Sequence, residues 1–134
     1  MRLRPIFGAA LLALLPASSR ADSYAAVSNT AMSITGDVEM DDFEIVFANG
    51  ERLGFSNLVG DSFVVDGRRV PASVFEIEEP ADPVLENGNR LCGAGDVTYL
   101  ASWAGGDGLT VIAVFTTQDV PGSDADACAT YSYE

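Results

Sequence analysis

Turn signals recur at short intervals along this chain, and no sustained helical period separates them. Asn49-Gly50, Asp66-Gly67 and Gly105-Gly106-Asp107-Gly108 each stand between alternating or β-branched segments. Asn-Gly and Asp-Gly supply the left-handed backbone that a tight hairpin needs. Phe43, Ile45 and Phe47 alternate with Glu44, Val46 and Ala48, the period of a strand with one buried face. Leu53 and Phe55 alternate on the returning segment, and residues 62–66 enclose Phe63, Val64 and Val65. Phe75 and Ile77 oppose Glu76 and Glu78 within 72–78. The pattern resumes over 96–103. Residues 109–116 are apolar on both faces around Val111 to Phe115, as in a strand covered on both sides. Residues 127–133 place Tyr131 and Tyr133 on one face. Residues 31–35 read as a first strand, 22–30 as a flexible lead-in, and 80–89 and 119–126 as loops. About eight short strands joined by tight turns predict an all-β fold, a small antiparallel barrel or sandwich. Phe43, Ile45, Phe47, Phe75, Ile77, Tyr99, Val111 and Phe115 are the expected core, with Val111 more buried than Glu76 or Glu78.

Ahead of this pattern, residues 1–21 have the three zones of an export signal. Met1-Arg2-Leu3-Arg4 is a positive start, Ile6 to Leu15 an apolar run, and Ser19-Arg20-Ala21 a small-residue cleavage site before Asp22. Ten apolar residues span about 15 Å as a helix, half of a ~30 Å hydrocarbon core, so a membrane anchor fits poorly. No cysteine follows for lipid attachment, and no twin-arginine pair is present. Residues 22–134 are then a single exported β domain, periplasmic or secreted, with no membrane insertion after signal removal.

Cleavage there leaves four arginines, Arg52, Arg68, Arg69 and Arg90, against 20 acidic side chains, a formal charge of −16 on 113 residues. Such a surface repels nucleic acid and favours cationic partners. The chain contains neither histidine nor lysine. That removes the usual general base, the commonest zinc ligand, Schiff-base chemistry and the P-loop cation. No cofactor motif is present. Carboxylate-only hydrolysis is the chemistry left open, but no acid pair stands beside an aromatic cluster that would mark a sugar cleft. Trp103, the single tryptophan, sits beside a turn, where core-edge packing explains it as well as sugar stacking. Two acidic stretches, Asp119, Asp124 and Asp126, and Asp37, Glu39, Asp41 and Asp42, invite comparison with calcium loops. Neither matches the calcium-loop spacing, so no metal site is assigned and both read as solvated turn acids.

Cys92 and Cys128 are the only cysteines. In an oxidising compartment they are expected to form one structural disulfide. There is no Cys-x-x-Cys, and no histidine or lysine to activate a thiol. Arg90, two residues before Cys92, is expected either to pair with Glu86 or to cap carbonyls of its loop. Arg68-Arg69 follow a turn and are expected to face water.

The strings Asn87-Gly88-Asn89-Arg90-Leu91-Cys92, Val97-Thr98-Tyr99-Leu100-Ala101 and Cys128-Ala129-Thr130-Tyr131 resemble a group of small exported bacterial proteins without an established activity. A looser architectural likeness is to the periplasmic lysozyme inhibitors, which are small, disulfide-stapled antiparallel barrels. The Ser-Gly-x-x-Tyr inhibitory loop of those proteins is absent here. The leading functional reading is an exported, non-catalytic binding or inhibitory module for a basic protein, contacting it through loops 80–91 and 117–126. A structural envelope-associated domain and a carboxylate-dependent hydrolase are the alternatives. Oligomeric state is left open.

Overall fold

Two of the sequence-marked turns have positive φ at both central residues, Asp66 (52°) with Gly67 (81°) and Asp107 (52°) with Gly108 (78°). That geometry matches the twist of the strands it joins and builds tight hairpins. The computed structural model describes residues 21–134, so the export segment expected over 1–21 lies outside the described residues except for Ala21. Eight strands follow in order: β1 (Asp22–Tyr24), β2 (Val38–Met40), β3 (Glu44–Val46), β4 (Arg52–Val65), β5 (Arg68–Ala81), β6 (Val97–Gly106), β7 (Leu109–Phe115) and β8 (Ala129–Tyr133). Each pairs antiparallel with its sequence neighbours, an up-and-down meander.

The residues after β1 nearly close that meander into a barrel. Ala25 and Glu134 exchange two backbone hydrogen bonds of 2.9 Å, and Val27 N–H donates to the Ser132 carbonyl at 3.0 Å. The segment 22–30 is therefore ordered in place of the expected lead-in: 22–24 form β1, 25–28 bond to β8, and Asn29 and Thr30 are already helical. Its small polar residues hide this because only one short face meets the core. The expected strand 31–35 is also corrected. Ala31–Thr35 is a single π-helical turn, closed by Gly36 N–H on the Ala31 carbonyl at 2.7 Å. Ser28 Oγ accepts the Ala31 N–H at 3.1 Å and so starts it. Val38–Met40, inside the acidic stretch, is a strand that composition concealed.

Apolar side chains fill the barrel. Ile45, Phe47, Leu53, Phe55, Phe75, Ile77, Leu100, Ile112, Val114, Tyr131 and Tyr133 are all buried there. Phe55 stacks on Phe75 with ring centroids 4.3 Å apart. Eight strands leave an interior just wide enough for such a filling.

A second core lies on the outside of the barrel wall. Tyr99, Ala101 and Trp103 of β6 and Ala113 and Phe115 of β7 point away from the interior, yet are buried. Their cover is the far half of the β4–β5 hairpin. Register shifts between Phe55 and Ser62 break the ladder repeatedly. Bulges of this kind bend a strand and increase its twist. Beyond them the hairpin curls over β6 and β7, and Phe63 packs against Trp103 (5.3 Å, stacked) and Phe115 (5.8 Å, edge-on). Val64 N–H donates to the Gly122 carbonyl at 2.9 Å, pinning the hairpin to the loop before β8. The two-sided burial expected for 109–116 is thus present, except that Val111 is only half-buried, at the edge of this cluster.

Phe43 is the other correction to the expected core. It precedes β3 at the barrel rim and is 68% exposed. Alternation assigns it the inward side, but it lies just outside β3, in the turn held by Asp41, with its side chain in water. Phe63→Ala should lower stability by about 3–5 kcal/mol, as for a buried aromatic truncated to alanine. Phe43→Ala should change it by less than about 0.5 kcal/mol. Urea unfolding midpoints of the two variants check both placements.

Candidate functional site

The two ends of the barrel differ, and the difference begins with the loops. At one end, residues 82–96 fold over the opening and insert Leu85 and Leu91, both buried. Asp82 organises this cover: its carboxylate accepts the N–H groups of Cys92 (2.8 Å) and Gly93 (2.9 Å). Arg90 donates to the Asp82 carbonyl at 2.7 Å, which makes it a carbonyl cap. Cys92 and Cys128 are bonded, with Cα atoms 5.7 Å apart, and tie the cover to β8. The side-chain amides of Asn87 and Asn89 donate to the Ser33 carbonyl at 3.0 and 3.2 Å, docking the loop on the π-turn. Tyr131 OH donates to the Leu91 carbonyl from inside the barrel. The Asn-Gly-Asn-Arg-Leu-Cys and Cys-Ala-Thr-Tyr strings therefore meet in one plug.

At the opposite end the bend in β4 leaves a gap. Asp22 and Tyr24 of β1, Met40, Asp41 and Asp42 around the β2–β3 turn, and Ser73, Phe75 and Ser102 line a cavity of about 170 Å³. Ser73 and Ser102 are paired across β5 and β6, so both hydroxyls belong to the wall of this mouth. Two large apolar side chains stand exposed beside it. Phe43 follows Asp42, and its carbonyl accepts the Phe55 N–H at 2.8 Å; Leu58, three residues beyond Phe55, is 60% exposed. Leu58 is also the strand partner of Phe75 in the cavity wall. Asp41 Oδ1 accepts the N–H groups of Phe43 (2.7 Å) and Glu44 (3.0 Å), which holds the turn that presents Phe43. An apolar rim set among carboxylates results, suited to a ligand that is both cationic and apolar.

The loops expected to carry recognition lie at the plugged end; Asn87, Asn89, Arg90, Gln118, Asp119 and Asp126 in them are exposed, although several of their polar groups also bond within the protein. In the second of them, Ser123 Oγ accepts the Ala125 N–H at 3.1 Å, and the backbone of 122–123 braces β4. Asp37 likewise accepts the Ala26 N–H at 2.9 Å. Among the described residues no group of three or more His, Cys, Asp or Glu side chains is placed to hold a metal ion. Trp103 is buried in the second core and presents no open face to a sugar. Phe43 and Leu58 as rim residues escaped sequence reasoning; the one available signal was Asp41-Asp42 immediately before an aromatic.

No helix among the described residues is long and apolar enough to cross a membrane. Comparison with known proteins finds no match among family models, curated proteins or solved structures.

Three tyrosines have displaced phenol pKa values. Burial raises Tyr24, reinforced by the charge and hydrogen bond of Asp22 beside it. Burial pushes Tyr131 up from 10.0 to about 12, with a further push from Asp82. Burial raises Tyr133 as well, against the opposing hydrogen bond of Thr35, whose Oγ1 lies 2.7 Å from the phenol. The folded state thus keeps protons that the unfolded chain releases as pH passes 10.0. Stability should therefore fall with rising pH above that value, by up to about 1.4 kcal/mol per pH unit for each buried phenol. The Tyr131 contribution should end near pH 12, where its folded phenol ionises. Denaturant midpoints across this range, compared with Tyr131→Phe, check it: the variant should show the shallower decline.

Proposed function

We propose that this chain is an exported, non-catalytic binding or inhibitory module whose partner is a cationic protein, held at the open mouth of the barrel. The observation that carries the reading is the juxtaposition of Asp22, Asp41 and Asp42 with exposed Phe43 and Leu58 at that mouth. An aromatic and an aliphatic anchor ringed by charge is how protein interfaces combine affinity with steering. A formal charge of −16 on residues 22–134 raises the rate of encounter with a basic surface more than it raises final affinity. Among the described residues one ion pair is present, Arg52–Glu44 at 2.9 Å, so the other carboxylates remain available to that field.

Capture of basic proteins from an envelope extract, with inhibition of a basic muramidase measured alongside, tests the proposal at low and moderate salt. Binding should weaken as salt rises. Asp42→Asn should slow association and flatten the salt dependence, and Phe43→Ser should speed dissociation. No basic partner and no inhibition at either salt would leave a structural envelope domain as the better reading.

A further inference from the structure

We propose a second, separate site: a cleft on the outer wall that takes a small monocarboxylate with an apolar body. It lies where the curled tip of the β4–β5 hairpin meets the end of β6. Val65, Asp66, Arg68, Arg69, Val70 and Trp103 line this open cleft of about 440 Å³, and Asp66 and both arginines are exposed to water, as expected for Arg68-Arg69. That volume falls within the range of small-molecule sites, roughly 300–1,000 Å³.

The chemistry of the lining sets the ligand class. Arg68 and Arg69 are half of the four arginines in residues 22–134. Among the described residues neither lies within ion-pair distance of any carboxylate, although the domain carries 20. Arg69 Nη1 donates to Ser62 Oγ at 2.7 Å, which orients that guanidinium along the hairpin and leaves its other donors unused. A planar guanidinium with open donors is matched by a carboxylate. Val65, Val70 and the edge of Trp103 supply an apolar wall for the rest of the ligand. Gly105 packs closely on β7 at the edge of the cleft: a Cβ there would stand 2.7 Å from Val111 Cγ2. The surrounding acidic field disfavours polyanions, which selects a single negative charge. This cleft is built by the hairpin tip and is independent of the mouth, so its failure leaves the preceding proposal untouched.

Trp103, the chain's only tryptophan, borders the cleft from the outer core, so its emission reports ligand in the cleft once unchanged far-UV circular dichroism shows that the core is intact. Titration of the purified protein with octanoate should change that emission saturably. Arg68→Gln/Arg69→Gln should bind at least about tenfold more weakly, as should octanol to the unaltered protein, for loss of a charge-assisted bond. Arg52→Gln, whose arginine pairs with Glu44 on the barrel wall, should leave the titration unchanged. If the double variant unfolds, Arg68→Gln alone serves, since it breaks no ion pair within the protein. An emission that does not saturate, an affinity unchanged by the arginine substitutions, or octanol binding as tightly as octanoate would each overturn the proposal.

Discussion

The packing of Phe63 between Trp103 and Phe115 is the contact on which the rest of this molecule depends. β6 and β7 carry apolar side chains on both faces, and a barrel interior buries only one of them. Without a cover, the outer face of Tyr99, Ala101, Trp103, Ala113 and Phe115 would be an exposed apolar patch, a liability for association. The cover comes from the strand pair next in line, which is too long for the barrel wall and bends outward through its bulges. One hairpin therefore serves two layers. Its base contributes Leu53, Phe55, Phe75 and Ile77 to the interior, and its far half contributes Phe63, with Val65 and Val70, to the outer core.

Both proposed sites are by-products of that bend. Where β4 departs from the wall it leaves the mouth between the β2–β3 turn and β6. Where its tip lands it builds the cleft that holds Arg68 and Arg69. The opposite end is closed by different means. Burying Leu85, Leu91 and two tyrosines against a loop requires partners for the loop's backbone, since unpaired buried polar groups are costly. Asp82, Asn87, Asn89, Arg90 and Tyr131 supply them, and the disulfide limits how far the loop can open in the unfolded chain.

Much of the wall was legible because period-two alternation reports which face is wet. Ile45, Phe47, Phe75, Ile77, Tyr99 and Phe115 are buried as that rule expects. Phe43 obeys the same period and is exposed, because alternation specifies the side of a strand and not where the barrel ends. Residues 22–30 and 31–35 failed for a related reason. Their small polar residues carry little periodic signal, and what orders them is pairing of 22–24 with β2 and of 25–28 with β8, the latter more than 100 residues away, together with the Ser28 cap. The mouth itself joins Asp22, Asp42, Ser73 and Ser102, four positions from separate strands and turns that no local pattern links.

The sequence by itself determined the all-β class, the positions of the hairpin turns, the two-faced burial of β7, the pairing of Cys92 with Cys128 and the strongly acidic charge. Each of these rests on local chemistry: glycine and asparagine backbone freedom, side-chain alternation, thiol content and ionisable groups. The tertiary structure alone decided that residues 25–28 nearly close the barrel, that the long hairpin curls over the outer wall, and which end is plugged. Those outcomes depend on contacts between residues distant in sequence, whose free energy arises only when bend, register and burial are satisfied together.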